Sequence, residues 1–178
     1  MIELGLDWGI KLSFVQYIAK LPDGQASASS GVRPTETNGL FFEADPDTPP
    51  TPAGADAVYA FRGDVRFGGH FGMLYVRIAD PWIVRRGNQA ELTVLDPHEP
   101  KKAPRKRLVT FALSQPRSEG DIQIWDGTDV ILTAEACSVF NDVYAAGERF
   151  ESLVFAVHRG AAEGFGGCAS GSGSTGCV

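Results

Sequence analysis

The chain has 178 residues, of which 43% are hydrophobic and 21% are charged, and its formal net charge is −6 at pH 7. A chain of this length buries about 70% of its unfolded surface, which is enough for one domain with a sizeable core. The acidic balance argues against general nucleic-acid binding, since proteins that bind nucleic acids usually present a basic surface. The sequence also lacks an apolar run of about 18 residues, so no membrane span is expected.

The two ends of the sequence lead to separate expectations. The opening residues, MIELGLDWG, lack the charged-then-apolar pattern of a secretory signal, so a cytoplasmic location is expected if Met1 is the natural start. A trimmed chain would have lost such a signal. Residues 159–178 are rich in Gly, Ser and Cys and are predicted to form a flexible tail, which contains Cys168 and Cys177, after a domain that spans residues 1–158. Cys137 lies in an apolar run and is predicted to be a buried small hydrophobe.

The stretch LDWGIKLSFVQYI, residues 6–18, predicts the first helix. Asp7 is a suitable N-cap for a helix that runs to about Lys20, and Pro22 and Gly24 are expected to end it. At about 100° per residue, the apolar side chains form two opposite stripes. The first stripe contains Trp8, Leu12, Val15 and Ala19, and the second contains Ile10, Phe14, Tyr17 and Leu21. Periodicity alone favours a helix between two structural layers, although the second stripe would equally suit a partner or a ligand.

A period of two is clearest between Val58 and Ala79, where apolar and charged residues alternate around the central GGHFG. This pattern predicts an antiparallel hairpin with His70 at or near its tip. Further strands are predicted in AELTVLD, LVTFALS and ESLVFAVH, and Asp126-Gly127 is a hairpin turn signal. Residues 45–55 are a Pro-rich connection, and residues 97–107 are expected to be a solvated basic loop.

Many short strands with regular turns predict a mainly β fold, an antiparallel β sandwich or barrel-like domain. It has one N-terminal helix and a second, short helical turn in NDVYAAGERF, residues 141–150. No P-loop, dinucleotide glycine motif, Ser-His-Asp order or zinc signature is present, so the residues alone point to no enzyme class.

Two motifs in the sequence resemble the HtaA domain, a haem-binding domain of actinobacterial haem-uptake proteins. The helix motif Trp-Gly-x-Lys-x-Ser-Phe-x-x-Tyr is matched by Trp8, Gly9, Lys11, Ser13, Phe14 and Tyr17. The hairpin motif, a Val-Arg-Phe strand followed by Gly-His-x-Gly, is matched by Val65, Arg66, Phe67, Gly69, His70 and Gly72. A third, weaker likeness lies in YAAGERFESLVF, and the resemblance covers about Leu4 to Val157.

The resemblance implies a site for ferric haem (haem b). Tyr17 is implied as the axial ligand of the iron, His70 as its hydrogen-bond partner and Ser13 as a propionate contact. Tyr144 is a weaker candidate for a second propionate contact, and Ile10, Phe14 and Leu21 would face the porphyrin. The implied partners are haem and other haem-transfer proteins.

The chemistry of these residue types agrees with the implied site. Tyrosine is an established haem ligand, and a phenol is mostly protonated at neutral pH. A histidine within hydrogen-bond reach can stabilise the bound phenolate oxygen. An anionic oxygen ligand favours ferric iron, which suits the capture, transfer or storage of oxidised haem.

Two alternatives to a non-enzymatic haem-binding module stay open. One is a haem enzyme of the peroxidase or catalase type, since catalase also uses a tyrosine ligand. The other is a β-sandwich interaction module without a cofactor, in which Tyr17 and His70 are structural. Family members are usually exported or membrane-anchored, and this sequence shows neither signal, so intracellular haem binding is a further alternative.

Overall fold

Eight antiparallel strands close into a barrel in the computed structural model, which describes residues 1–97 and 105–160. In chain order the elements are β1 (Gly5–Trp8), α1 (Leu12–Lys20), β2 (Gln25–Ser29), β3 (Val32–Pro34), β4 (Leu40–Ala44), β5 (Ala57–Arg62), β6 (Asp64–Gly69), a 3₁₀ turn (His70–Gly72), β7 (Leu74–Ala79), β8 (Trp82–Arg86), β9 (Gln89–Val94), β10 (Lys106–Leu113), β11 (Arg117–Glu119), β12 (Ile122–Leu132), a 3₁₀ helix (Ala134–Phe140) and β13 (Leu153–His158). Around the barrel the order is β1-β13-β12-β10-β9-β8-β5-β4, and β4 pairs with β1 to close it. The predicted mainly β, antiparallel fold is confirmed.

Aromatic side chains fill the barrel interior. The ring of Phe155 on β13 lies 5.2 Å from that of Tyr59 and 6.0 Å from that of Phe61, both on β5. Strands β13 and β5 are not neighbours around the barrel, so these rings meet across its interior. An eight-stranded barrel is just wide enough for side chains to fill it, so this interior is a packed core.

A smaller sheet outside the barrel contains the predicted hairpin. Strands β6 and β7 pair from Asp64↔Ala79 to Gly69↔Leu74, and β2 pairs with the other edge of β6. His70 begins the turn at the tip, as predicted. The predicted hairpin began too early in the sequence, because residues 57–62 form the separate barrel strand β5, which pairs with β8 and β4.

The helix begins later than predicted. Asp7 lies in strand β1, so its predicted role as N-cap is wrong. Ile10 adopts a left-handed φ of 57° and separates the strand from the helix. Within α1 the buried side chains are Phe14 and Ile18, which share one side. The prediction of two opposite apolar stripes is therefore wrong, because it joined a strand and a helix into one period.

Contacts with the segment before the last strand hold the start of α1. The Trp8 indole Nε1–H donates to the backbone carbonyl of Glu151 over 2.9 Å. The Lys11 ammonium donates to Glu148 Oε1 over 2.8 Å. The Leu12 N–H donates to Glu151 Oε1 over 3.0 Å, so a carboxylate distant in sequence accepts from the helix N-terminus.

Two further predictions are corrected. Asp126 and Gly127 lie inside strand β12 and form no turn. A Cβ on Gly127 would lie 2.7 Å from a methyl carbon of Leu153 and 2.8 Å from the ring of Phe111, so the glycine serves close packing. The second short helical element is the 3₁₀ helix Ala134–Phe140, which precedes the segment predicted for it.

The loop predicted to be solvated ends in a packed arginine. The guanidinium of Arg105 lies 4.0 Å from the ring of Trp82 and donates to both the hydroxyl and the carbonyl of Thr93 over 3.0 Å. It also donates to the carbonyl of Asp80, at the base of the hairpin. Burial lowers the pKa of Arg105 to about 10.

Some predicted features lie outside the described residues. These are the remainder of the basic loop, residues 98–104, and the tail from residue 161 onward with Cys168 and Cys177. The domain boundary at residue 158 stays a prediction. Cys137 is partly buried and packs against the core. In residues 1–97 and 105–160, no helix is long and apolar enough to cross a membrane.

Candidate functional site

The hydroxyl of Tyr17 and Nε2 of His70 form a hydrogen bond on the protein surface. The two residues are 53 positions apart in sequence, and their ring centroids are 5.8 Å apart. Tyr17 lies in the last part of α1, and its side chain is 45% exposed. The structure therefore brings together the two residues for which the resemblance implied a joint role, and it leaves the phenol accessible from outside.

An aromatic contact and a small residue place the helix against the hairpin. Phe14 on α1 meets Phe67 on β6 edge to face, with ring centroids 5.3 Å apart. At the hairpin end, Gly69 lies so close to Leu21 that a Cβ there would be 2.7 Å from a Leu21 methyl carbon. Since Tyr17 follows Phe14 by three residues and His70 follows Phe67 by three, this packing brings the polar pair together.

The turn that contains His70 has an unusual backbone. His70, Phe71 and Gly72 all have positive φ, of 51°, 56° and 90°. The Phe71 N–H donates to Asp23 Oδ2 over 2.5 Å, just beyond the end of α1. This hydrogen bond, together with weaker ones from the backbone, lowers the pKa of Asp23. An ionised carboxylate therefore faces the turn.

Of the other polar candidates, Ser13 lies on the same helix and Tyr144 lies next to it. Ser13 is exposed one helical turn before Tyr17, so the two hydroxyls share a side of α1. Tyr144 is half-buried, with its ring 6.5 Å from that of Phe14 and 5.2 Å from the Lys11 ammonium. The structure thus places Tyr144 beside α1.

Two of the predicted porphyrin contacts lie in the core. Ile10 has no exposed surface, and Phe14 is 4% exposed and surrounded by the rings of Phe67, Phe140 and Tyr144. Leu21 is partly buried against the core and Gly69. In this structure Ile10 and Phe14 offer no surface to a ligand, because they join α1 to the layers beneath it.

Exposed apolar side chains near the pair were missed by the sequence reasoning. Phe71 is 94% exposed and Met73 is 77% exposed, and both follow His70 in the hairpin turn. Val143 is 67% exposed in a loop whose Asn141 accepts a hydrogen bond from the Tyr75 N–H over 3.4 Å. The available signal was the presence of large apolar residues in a glycine-rich turn, where small polar residues are usual.

Comparisons with known proteins give a family match and several solved structures of similar fold. A family model described as Htaa matches residues 3–156. Among solved structures from Corynebacterium glutamicum, the N-terminal domain of HtaA is 20% identical, with 88% of this chain and 97% of that chain covered and a TM-score of 0.70. The C-terminal domain of HtaA is 22% identical, with 86% and 98% covered and a TM-score of 0.66.

A third solved structure is the haem-binding protein HtaB from the same organism. It is 17% identical, with 86% of this chain and 95% of that chain covered and a TM-score of 0.63. No curated protein matches the sequence. At these identities the structural likeness establishes the fold, which the family match supports over nearly all of the described chain.

Proposed function

Because this chain belongs to the HtaA family, we propose that it binds ferric haem without catalysing a reaction, and that Tyr17 is the iron ligand. The observation that carries the proposal is the exposed Tyr17 hydroxyl with the His70 ring nitrogen hydrogen-bonded to it. A solved structure of similar fold is that of a haem-binding protein. The ligand would be haem b, and the protein would serve in haem capture, transfer or storage.

The residues around Tyr17 suit a haem that is bound at the surface. A tyrosine oxygen is a hard, anionic donor when deprotonated, which favours ferric over ferrous iron. His70 would stabilise the phenolate by donating a hydrogen bond from Nε2–H to its oxygen. The exposed Phe71 and Met73 would cover part of the macrocycle, and Ser13 and Tyr144 would bind propionates through their hydroxyls.

The test is a hemin titration followed by visible absorption, with two pairs of matched variants. Tyr17→Phe removes one hydroxyl, and Tyr75→Phe removes one from a tyrosine that is also 45% exposed. His70→Ala is matched by His158→Ala, whose imidazole pairs with Asp121 outside the site. We expect saturable one-to-one binding with a ferric phenolate charge-transfer band. That band should disappear in Tyr17→Phe, weaken in His70→Ala and persist in both controls.

The alternatives give different outcomes in the same experiment. Absence of saturable binding would support an interaction module, and binding that is indifferent to Tyr17 would exclude it as the ligand. Peroxide turnover by the complex well above that of free hemin would indicate a haem enzyme. We expect turnover no greater than that of free hemin.

A further inference from the structure

The turn that contains His70 needs support from outside itself. His70 and Phe71 both adopt left-handed backbone angles, and Gly72 continues them. A left-handed conformation is unfavourable for a residue with a side chain, because its Cβ comes too close to the following carbonyl oxygen. Two such residues in succession persist only where neighbouring groups stabilise them. The N–H of Phe71 points out of this turn, and Asp23 Oδ2 accepts from it over 2.5 Å.

Asp23 reaches the turn because the chain bends sharply after α1. The Gly24 N–H donates to the carbonyl of Leu21 over 3.1 Å. A Cβ on Gly24 would lie 1.9 Å from the carbonyl oxygen of Ile18, so only glycine permits this bend. Asp23 is thereby fixed relative to the helix that carries Tyr17.

Two hydrogen bonds consequently join the same two segments. Tyr17 forms a hydrogen bond with the ring of His70, and Asp23 accepts a hydrogen bond from the backbone of the next residue, Phe71. The backbone of a histidine determines where its ring lies. Here Asp23, just after the helix, stabilises that backbone. Asp23 itself is partly exposed and lies outside the Phe14–Phe67 contact that packs the helix on the hairpin.

We propose that Asp23 is a positioning residue for haem binding, which holds the turn His70–Gly72 so that the imidazole stays within reach of the Tyr17 oxygen. The inference rests on the proposed function in that Tyr17 is taken as the ligand. It adds a residue outside both sequence motifs, and it makes the histidine's contribution depend on a carboxylate that acts through the backbone of the turn.

The first measurement uses haem-free protein and does not depend on haem binding. We would record His70 ring resonances by NMR in four proteins: wild type, Tyr17→Phe, Asp23→Ala and the double variant. Hydrogen exchange of the Phe71 amide would be followed alongside. Removing the Tyr17 hydroxyl should shift the His70 resonances in the wild-type background and shift them much less in the Asp23→Ala background. The Phe71 amide should lose protection in Asp23→Ala.

The second measurement is hemin transfer from the loaded protein to excess apomyoglobin. Outer partners of metal ligands typically change affinity by about 10- to 100-fold, and Asp23 acts through one of them. We expect Asp23→Ala to release hemin about tenfold faster than wild type. Asp23→Asn retains an acceptor oxygen and should stay near wild type. Asp47→Ala, in the Pro-rich loop, is the control for loss of an exposed carboxylate.

The outcomes separate this proposal from the proposed function. If wild type fails to bind hemin, the proposed function fails, and the NMR cycle alone decides whether Asp23 positions His70. If Tyr17→Phe shifts His70 equally with and without Asp23, the positioning role is overturned. The positioning role is also overturned if wild type binds hemin through Tyr17 and Asp23→Ala releases it at the wild-type rate.

Discussion

Phe14 and Phe67 meet edge to face with their ring centroids 5.3 Å apart, and this contact packs helix α1 onto the β6–β7 hairpin. Both side chains are about 4% exposed. Phe14 precedes Tyr17 by three residues in the sequence, and Phe67 precedes His70 by three. Packing and site geometry are therefore coupled in this part of the molecule.

The first prediction concerns that contact. Phe14→Ala removes a buried ring that also touches Phe140 and Tyr144, so it should lower the free energy of unfolding by about 3–5 kcal/mol. Phe71→Ala makes the same substitution at a 94% exposed position and should change it by less than about 0.5 kcal/mol. Urea denaturation of both variants measures the difference. Equal effects at the two positions would show that Phe14 is not a core residue.

The second prediction concerns the helix start. Glu151→Ala leaves the Leu12 N–H without its carboxylate acceptor and should cost about 1 kcal/mol. Glu151→Gln keeps an acceptor oxygen but removes the charge at the helix N-terminus, so roughly half of that cost is expected. Glu119→Ala, an exposed glutamate on β11, is the control and should be neutral. Thermal and urea unfolding would measure these differences, and a neutral Glu151→Ala would contradict the capping role.

The same glutamate explains why the helix start could not be found from sequence. Glu151 is 139 residues from Leu12 in the sequence. The residues before the helix form strand β1, which pairs with β13 on one side and with β4 on the other. Local propensity favoured a continuous helix there, and barrel closure overrode it. The turn predicted at Asp126-Gly127 was wrong for the same reason, because strand pairing with β13 outweighed the local turn signal.

The sequence correctly predicted a structural feature that depends on residues close to one another along the chain. The hairpin between β6 and β7 followed from alternation around a short glycine-rich turn, and His70 lies where that pattern placed it. The contact between Tyr17 and His70 could not be predicted in this way, since no local pattern brings together two residues that are 53 positions apart. That expectation came from the family resemblance. The supporting contact of Asp23 with Phe71 had no sequence signal of either kind.

The third prediction is a pH dependence at Asp64. Although burial raises the pKa of this carboxyl, hydrogen bonds from Arg66 and Arg77 outweigh it and lower the pKa below the usual 3.8. A lowered pKa in the folded state means that the carboxylate stabilises the fold above pH 3.8, and that this contribution is lost as the pH falls towards the folded-state value. Asp64→Asn should therefore cost about 1–2 kcal/mol at pH 7.

The measurement for Asp64 is urea unfolding of wild type and Asp64→Asn across pH 3 to 7. The difference in stability should be constant from pH 7 to about pH 5 and should narrow below about pH 4. Asp129→Asn, whose carboxylate pairs with Arg149 in an exposed position, is the control. A difference between wild type and Asp64→Asn that had already vanished at pH 5 would mean that the pKa of Asp64 is not lowered.

The last prediction concerns Arg105, which joins the base of the hairpin to the barrel. A lysine there keeps the charge but loses the planar stacking on Trp82 and the paired hydrogen bonds to Thr93 and the Asp80 carbonyl. Arg105→Lys should lower the free energy of unfolding by about 2–3 kcal/mol at pH 7. Arg86→Lys, at an exposed pair with Glu91, should change it by less than about 0.5 kcal/mol.

The pH dependence of Arg105→Lys provides the sharper test. Burial lowers the pKa of Arg105 to about 10, and the same surroundings should lower the pKa of a lysine ammonium at this position. A cation whose pKa is lower in the folded than in the unfolded state releases its proton on folding, so stability rises with pH. Relative to wild type, Arg105→Lys should therefore recover part of its lost stability between pH 7 and 10. A constant deficit over that range would show that the lysine ammonium reaches solvent instead of occupying the site over Trp82.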